Sequence, residues 1–156
     1  MRKKVAVLLH NVRSAHNVGA IFRTADAAGV SKVYLSGYTP QPLDRFGRIQ
    51  KEIAKTALGA EKFLPWEYQK SPLASISKLR KEGWCIASVE QNSKSVDYRK
   101  FKLKQPTLFI FGNEVDGIPQ SVLKKCDVIV EIPMRGKKES LNVSVTAGIV
   151  LFSIVG

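Results

Sequence analysis

The chain has 156 residues, which suits one compact domain and leaves no room for a second of ordinary size. Lys and Arg number 25 against 13 Asp and Glu, and this net charge of +12 favours a polyanionic partner, although charge alone leaves a merely soluble basic protein equally open. No apolar stretch approaches the ~20 residues of a membrane span, so we expect one domain over residues 1–156 and no membrane partner.

Short apolar runs rich in β-branched and aromatic residues alternate with helical patterns along the chain. This alternation predicts an α/β fold in which a mostly parallel sheet is covered by helices on both faces. The predicted strands are residues 5–9, 32–35, 62–64, 84–89, 107–111 and 128–132.

The predicted helices lie between these strands and after the last one, at residues 15–28, 50–58, 73–82, 119–125 and 143–155. Gly29, Gly59 and Gly83 follow the first three, as expected where a helix ends in a left-handed residue. Residues 36–48 and 91–106 are predicted to be long loops. We expect the basic residues from 94 to 104, together with Arg45 and Arg48, to contact phosphates of a nucleic acid.

The start of the chain and its cysteines predict a compartment. Residues 5–9 follow a basic start, but the run is too short for the core of a signal peptide. Cys85 and Cys126 lack the spacing of metal ligands, and we interpret them as small core residues. We therefore expect a protein of the reducing cytoplasm that binds no metal.

The turn after the first predicted strand, residues 10–14, contains no glycine. Dinucleotide sites and P-loops need glycine there so that the backbone can approach a phosphate. The sequence therefore predicts a ligand site elsewhere in the sheet.

The helix at 15–28 begins with an unusually polar segment. On helical spacing, Ile21, Ala25 and Ala28 form its buried stripe, while Arg23 lies off that stripe and Asn17 sits in the first turn. Both polar side chains can point toward the strand ends. Arg23 could equally be an ordinary exposed helix arginine.

A polar loop with the sequence Gly112-Asn-Glu-Val-Asp-Gly117 follows the strand at 107–111. We interpret Gly112 as a position whose missing side chain lets a flat ligand lie against the strand end. Glu114 is either a ligand contact or a cap for the helix that begins at Pro119, and the sequence does not separate these alternatives.

A second polar loop follows the strand at 128–132 and leads into the last helix. Pro133 ends that strand and leaves neighbouring carbonyls free to accept hydrogen bonds, for example from the amino group of an adenine. Ser140, Asn142 and Ser144 could each be no more than a cap of the last helix. The two loops together predict a pocket at the carboxyl edge of the sheet.

These three blocks, in this order and spacing from Asn11 to Val155, resemble the three motifs of the SpoU/TrmH family of RNA ribose 2′-O-methyltransferases, within the SPOUT superfamily. The resemblance implies an enzyme that transfers a methyl group from S-adenosyl-L-methionine to a ribose 2′-hydroxyl of structured RNA, either tRNA or rRNA. It also implies a homodimer, and a C-terminal trefoil knot, roughly residues 107–156, that binds the cofactor.

The resemblance assigns roles to particular residues. It implies catalytic roles for Arg23, supplied by the opposite subunit, and for Asn17, Glu114, Ser140 and Asn142. Contacts to the cofactor are implied for Gly112, Ile132 and Leu141, and also for Val89, Glu90, Asn113, Met134 and Gly136.

The alternative function is that of a basic RNA-binding or assembly factor that keeps the fold without catalysis. A base methyltransferase of the same superfamily is disfavoured by the motif containing Asn142.

Overall fold

The computed structural model describes residues 3–155, within which seven strands form one sheet. Met1, Arg2 and Gly156, which belong to the predicted domain, lie outside the described residues. The strands are β1 (Val5–His10), β2 (Lys32–Ser36), β3 (Trp66–Gln69), β4 (Cys85–Val89), β5 (Val96–Asp97), β6 (Thr107–Phe111) and β7 (Val128–Glu131). The helices are α1 (Ala15–Ala27), α2 (Lys51–Ala57), α3 (Ala60–Phe63), α4 (Pro72–Lys81), α5 (Gln120–Leu123) and α6 (Val143–Val155), and a 3-10 turn covers Tyr98–Lys100.

The strands are ordered β3-β2-β1-β6-β4-β7-β5, and every neighbouring pair is parallel. The predicted parallel α/β sheet is therefore confirmed. Because parallel strands end at one edge, the loops after β4, β6 and β7 meet there.

Two separate hydrophobic cores lie on the two faces of the sheet. Along β1, Val7 and Leu9 face one core, whereas Ala6 and Leu8 face the other, as the two-residue period of a strand requires. The larger core is completed by α1, α2, α3 and α6, and the smaller one by α4 and α5. Helices on both faces, as predicted, make both faces of the central strands apolar.

The strand predicted at residues 62–64 is wrong. Leu58 and Gly59 both adopt left-handed backbone angles, with φ of 52° and 94°, and Gly59 starts the short helix α3. The strand comes later, at Trp66–Gln69, where apolar and polar residues alternate in the pattern of an edge strand. The loop predicted at residues 91–106 also contains a short strand, β5, and the 3-10 turn.

α1 and α2 approach each other closely at Gly19. A Cβ atom placed there would lie 2.0 Å from the Oγ1 atom of Thr56 and 2.4 Å from the carbonyl oxygen of Ile53. Thr56 also donates a hydrogen bond of 2.9 Å to the carbonyl of His16. The absence of a side chain at Gly19 thus sets the distance between the two helices.

We expect Gly19→Ala to lower the free energy of unfolding by about 1–3 kcal/mol, because the added methyl group forces α1 away from the backbone of α2. Gly148→Ala is the matched control, since its Cβ would meet only the Cγ2 atom of Thr24 at an ordinary 3.8 Å. The control should be neutral or gain up to about 1 kcal/mol from helix propensity. Urea denaturation measures both variants, and equal stability of the two would contradict the prediction.

Candidate functional site

A cavity of about 370 Å³ lies at the carboxyl edge of the sheet, between the loops that follow β4, β6 and β7 and the start of α6. This volume falls within the ~300–1,000 Å³ of small-molecule sites. The predicted cofactor residues that line it are Val89, Glu90, Gly112, Asn113, Ile132, Met134 and Leu141, and the predicted catalytic residues Glu114 and Ser140 line it as well. Gly136 does not line the cavity, and a Cβ atom there would meet nothing within 4 Å.

The loop at residues 112–118 folds back on itself and forms one wall of the cavity. Asn113 and Gly117 exchange two backbone hydrogen bonds, of 3.2 and 3.0 Å. A Cβ atom at Gly112 would lie only 2.7 Å from the backbone of Gly117, so the missing side chain makes room for the loop itself. This differs from the interpretation that the space serves a flat ligand.

Glu90 braces the same loop from the end of β4. Its Oε2 atom accepts a hydrogen bond of 2.8 Å from the amide of Ile118. Gly117, at φ 70°, passes so close that a Cβ atom there would lie 2.2 Å from that oxygen. Glu90 thus lines the cavity while holding its wall in place.

The carboxylate of Glu114 reaches across to the start of α1. It accepts hydrogen bonds of 3.0 Å from the amides of Arg13 and Ser14, and one of 3.1 Å from the side chain of Asn17. Burial acts to raise the pKa of Glu114, but these donors outweigh it, so the pKa lies below its ordinary value. The alternative that Glu114 caps the helix that begins at Pro119 is wrong, because its carboxylate accepts hydrogen bonds from the amides that precede α1 instead.

Asn17 and Asn142 join this network. The Nδ2 atom of Asn142 donates to the Oδ1 atom of Asn17 at 3.3 Å. The Oδ1 atom of Asn142 accepts hydrogen bonds from the backbone amide and the hydroxyl of Ser144, so Asn142 also caps α6. The structure therefore brings together Asn17, Glu114 and Asn142, one from each sequence block. Ser140 is exposed on the cavity wall.

The side chain of Asn113 ties the loop to two further segments. Its Nδ2 atom donates to the carbonyl of Asn11 at 3.0 Å and to the hydroxyl of Tyr38 at 2.8 Å. Asn11 adopts φ 56°, and its own side chain accepts from the amide of Tyr38. The sequence does not predict this contact of Tyr38, since a tyrosine in a long loop belongs to no recognisable pattern.

Arg23 is not brought to the cavity within one chain. It follows Asn17 by six residues on α1, which places it roughly 9 Å further along the helix and about 240° around it. Its side chain is exposed and borders a separate hollow that includes Thr24 and Phe152.

The cavity is acidic although the protein is strongly basic. Four glutamates line it, in a chain of net charge +12: Glu90, Glu114, Glu131 and Glu139. The carboxylates therefore suit a ligand that carries positive charge.

Among residues 3–155, no group of three or more His, Cys, Asp or Glu residues could hold a metal ion, and no helix there is long and apolar enough to cross a membrane.

We expect Glu114→Ala to lower the free energy of unfolding by about 2 kcal/mol at neutral pH, because two amides and the Asn17 side chain lose a charged acceptor. The folded pKa of Glu114 lies below its ordinary value of 4.5, so this stabilisation is complete above that pH and is lost as the pH falls through the folded pKa. Wild type and variant should therefore converge in acid.

Urea denaturation from neutral pH to about pH 2.5 tests this convergence. Glu139→Ala is the control, since Glu139 is an exposed carboxylate on the same cavity. A difference between wild type and Glu114→Ala that stays constant over this range would refute the assigned role.

Comparison with known proteins places this geometry in a family. The SpoU rRNA Methylase family matches residues 4–152. The chain is 33% identical over 148 residues to a 23S rRNA (guanosine-2′-O-)-methyltransferase of Pseudomonas aeruginosa, covering 94% of the chain and 56% of that protein. It is 32% identical over 151 residues to a tRNA (guanosine(18)-2′-O)-methyltransferase of Aquifex aeolicus, covering 97% of the chain and 68% of that protein.

A solved structure shows the same architecture. The AdoMet-bound rRNA methyltransferase from Sinorhizobium meliloti superposes with a TM-score of 0.88 at 30% identity, over 98% of this chain and 56% of that one. The chain thus spans little more than half the length of several of the proteins it matches. With the family match covering nearly all of its residues, the chain belongs to the SpoU rRNA methylase family.

Proposed function

We propose that this chain transfers a methyl group from S-adenosyl-L-methionine to a ribose 2′-hydroxyl of structured RNA, either tRNA or rRNA. The observation that carries the proposal is the cavity lined by the second and third sequence blocks, with Asn17 of the first block bonded to Glu114 and Asn142, in a chain of the SpoU rRNA methylase family. The names of its relatives support the reaction, since one is a 2′-O-methyltransferase of 23S rRNA and another of tRNA.

The residues of the cavity fit S-adenosyl-L-methionine. Ile132, Met134 and Leu141 offer apolar surface for an adenine ring, while the carboxylates of the cavity suit the positive charges of the ligand. The Sinorhizobium meliloti structure is described as bound to AdoMet, which supports the same ligand here. We assign the cofactor contacts to the predicted residues that line the cavity.

The proposed fold has one domain over residues 1–156, with a trefoil knot in roughly residues 107–156. The strand order supports the knot. β6 lies between β1 and β4, and β7 lies between β4 and β5, so the connection from β6 to β7 crosses β4. α6 then returns to pack against α1, which belongs to the first part of the chain.

The chemistry divides between ligand and protein. When bound, the cofactor supplies a methyl group activated by a positively charged sulfur. The chain's own residues must then hold the 2′-hydroxyl in line with that group and remove the hydroxyl proton. We assign the positioning to Asn17, Ser140 and Asn142, with Glu114 fixing the loop. Arg23 would bind the RNA phosphate beside the reacting ribose, with either a phosphate oxygen or the transiently deprotonated, neutral side chain of Arg23 taking the proton.

Because Arg23 lies away from the cavity of its own chain, we propose a homodimer in which it completes the site of the other subunit. Exposed apolar residues beside it support an interface on α1 and α6. Phe152 borders the same hollow as Arg23, and Val145 lies two turns earlier on α6. Burying these side chains against a second copy would favour association.

We expect Arg23→Ala to lower methyl transfer at least about 100-fold while cofactor affinity stays nearly unchanged. Arg23→Lys should not restore activity, because an ammonium cannot reproduce the planar guanidinium. Radiolabelled methyl transfer and calorimetric titration with S-adenosylhomocysteine measure the two effects. Near wild-type turnover in Arg23→Ala would refute the assignment.

Mixed dimers test the shared site directly. If Arg23 acts across the interface, random pairing of Arg23→Ala with Asn142→Ala subunits should restore roughly a quarter of wild-type activity, since half the dimers are mixed and each has one intact site. If Arg23 acts within its own chain, no pairing restores activity.

The reaction itself is tested with total RNA from cells that lack the protein. Incubation with labelled S-adenosyl-L-methionine should label tRNA or rRNA at a linkage that then resists alkaline cleavage, because the 2′-oxygen is blocked. An alkali-sensitive product would refute ribose methylation. RNA binding without any incorporation of label would instead support an RNA-binding factor without catalysis.

A further inference from the structure

We infer that the tip of the loop between β2 and α2, residues 44–48, is a platform on which an unpaired base of the RNA stacks. We call these residues the aromatic tip. The inference rests on the proposed function for the nature of the ligand, and it adds a contact outside the cavity.

The aromatic tip presents an exposed phenylalanine next to two cations. The ring of Phe46 is 65% exposed. The guanidinium carbons of Arg45 and Arg48 lie 4.8 and 4.9 Å from its centroid. A nucleobase can stack on an aromatic ring or on a guanidinium plane, and the positive charges attract the phosphates on either side of it.

Hydrogen bonds hold the aromatic tip in one conformation. Asp44 accepts from the amides of Phe46 and Arg48 through Oδ1, at 2.8 and 2.9 Å, and from the Nε atom of Arg48 through Oδ2, at 2.8 Å. Gly47 adopts φ 77°, which favours glycine, and Leu43 and Ile49 form an antiparallel bridge below it. Little further ordering is therefore needed when a base binds, and this favours affinity.

The base of this loop is attached to the wall of the cavity. Thr39 accepts from the amide of Val12 at 3.1 Å and donates to the carbonyl of Leu9 at 2.9 Å. The neighbouring Tyr38 accepts from Asn113 of the cavity loop. The aromatic tip therefore rises from the same edge of the sheet as the cavity, where one RNA segment can reach both.

The chemistry of the aromatic tip favours RNA over a protein partner. An apolar protein contact would be weakened by two guanidinium groups beside the ring, whereas RNA uses the ring and both charges. The net charge of +12 points to the same polyanion.

The test compares Phe46→Ala and Phe46→Trp with Phe63→Ala. Phe63 is a matched control because it is also exposed, at 77%, and lies on α3. Affinity is measured by fluorescence anisotropy with a labelled single-stranded RNA of about 15 nucleotides and with a blunt duplex of the same length. Calorimetric titration with S-adenosylhomocysteine checks that each variant keeps its cofactor site.

We expect Phe46→Ala to bind the single strand roughly 5- to 100-fold more weakly, while the dependence on salt stays unchanged because no charge is removed. Phe46→Trp should bind at least as well as wild type, and Phe63→Ala should equal wild type. Affinity for the duplex should not change in any variant, since its bases are already stacked.

Unchanged single-strand affinity in Phe46→Ala would overturn the inference, as would an equal loss on the duplex or a failure of Phe46→Trp to bind. Methyl transfer is measured separately in the same variants. A protein that binds RNA through Phe46 but transfers no methyl group would refute the proposed catalysis and support this inference. Methylation and RNA affinity both undiminished in Phe46→Ala would refute this inference alone.

Discussion

The amides of Arg13 and Ser14 point at a carboxylate that lies about a hundred residues further along the chain, that of Glu114. Amides that precede a helix need an acceptor, and here the acceptor comes from a loop in the last third of the sequence. The same carboxylate holds Asn17, which in turn accepts from Asn142 at the start of α6. One anion thus joins the cavity loop to the start of α1, which in turn contacts the start of α6, and the shape of the cavity depends on these contacts.

The charge of the protein is negative inside the cavity and positive on the surface outside it. Four carboxylates line the cavity, whereas the aromatic tip and the exposed lysines at 102 and 104 carry positive charge on the surface. Lys102 and Lys104 alternate with Phe101 and Leu103, which pack against the larger core. A protein that binds both a cationic small molecule and a polyanion needs this separation, since otherwise each ligand would occupy the site of the other.

The sequence predicted best those elements whose pattern is local. The continuous apolar run at 107–111 matches β6, which is buried on both faces, and the apolar stretch at 143–155 matches α6, whose length is that of a helix and not of a strand. The edge strand β3 was misplaced because α3, a single turn, occupies a run that looks like a strand. The partners of Glu114 and Asn113 could not be predicted, since they depend on contacts between distant segments that no local period encodes. The helical period predicts that Arg23 lies off the buried face of α1. Its distance from the cavity of its own chain follows only from the assembled sheet.

The position of β6 in the middle of the sheet has a consequence for synthesis of the protein. β1 pairs with β6, so the inner edge of β1 stays unpaired until about a hundred further residues have been made. At ordinary rates of translation this takes roughly 5–20 s. During that interval the unit of β1, β2 and β3 displays an open apolar strand, which can pair with another nascent chain. The strand order therefore leaves this edge open for longer than in a sheet built in chain order, and the yield of the protein should be more sensitive to crowding of nascent chains.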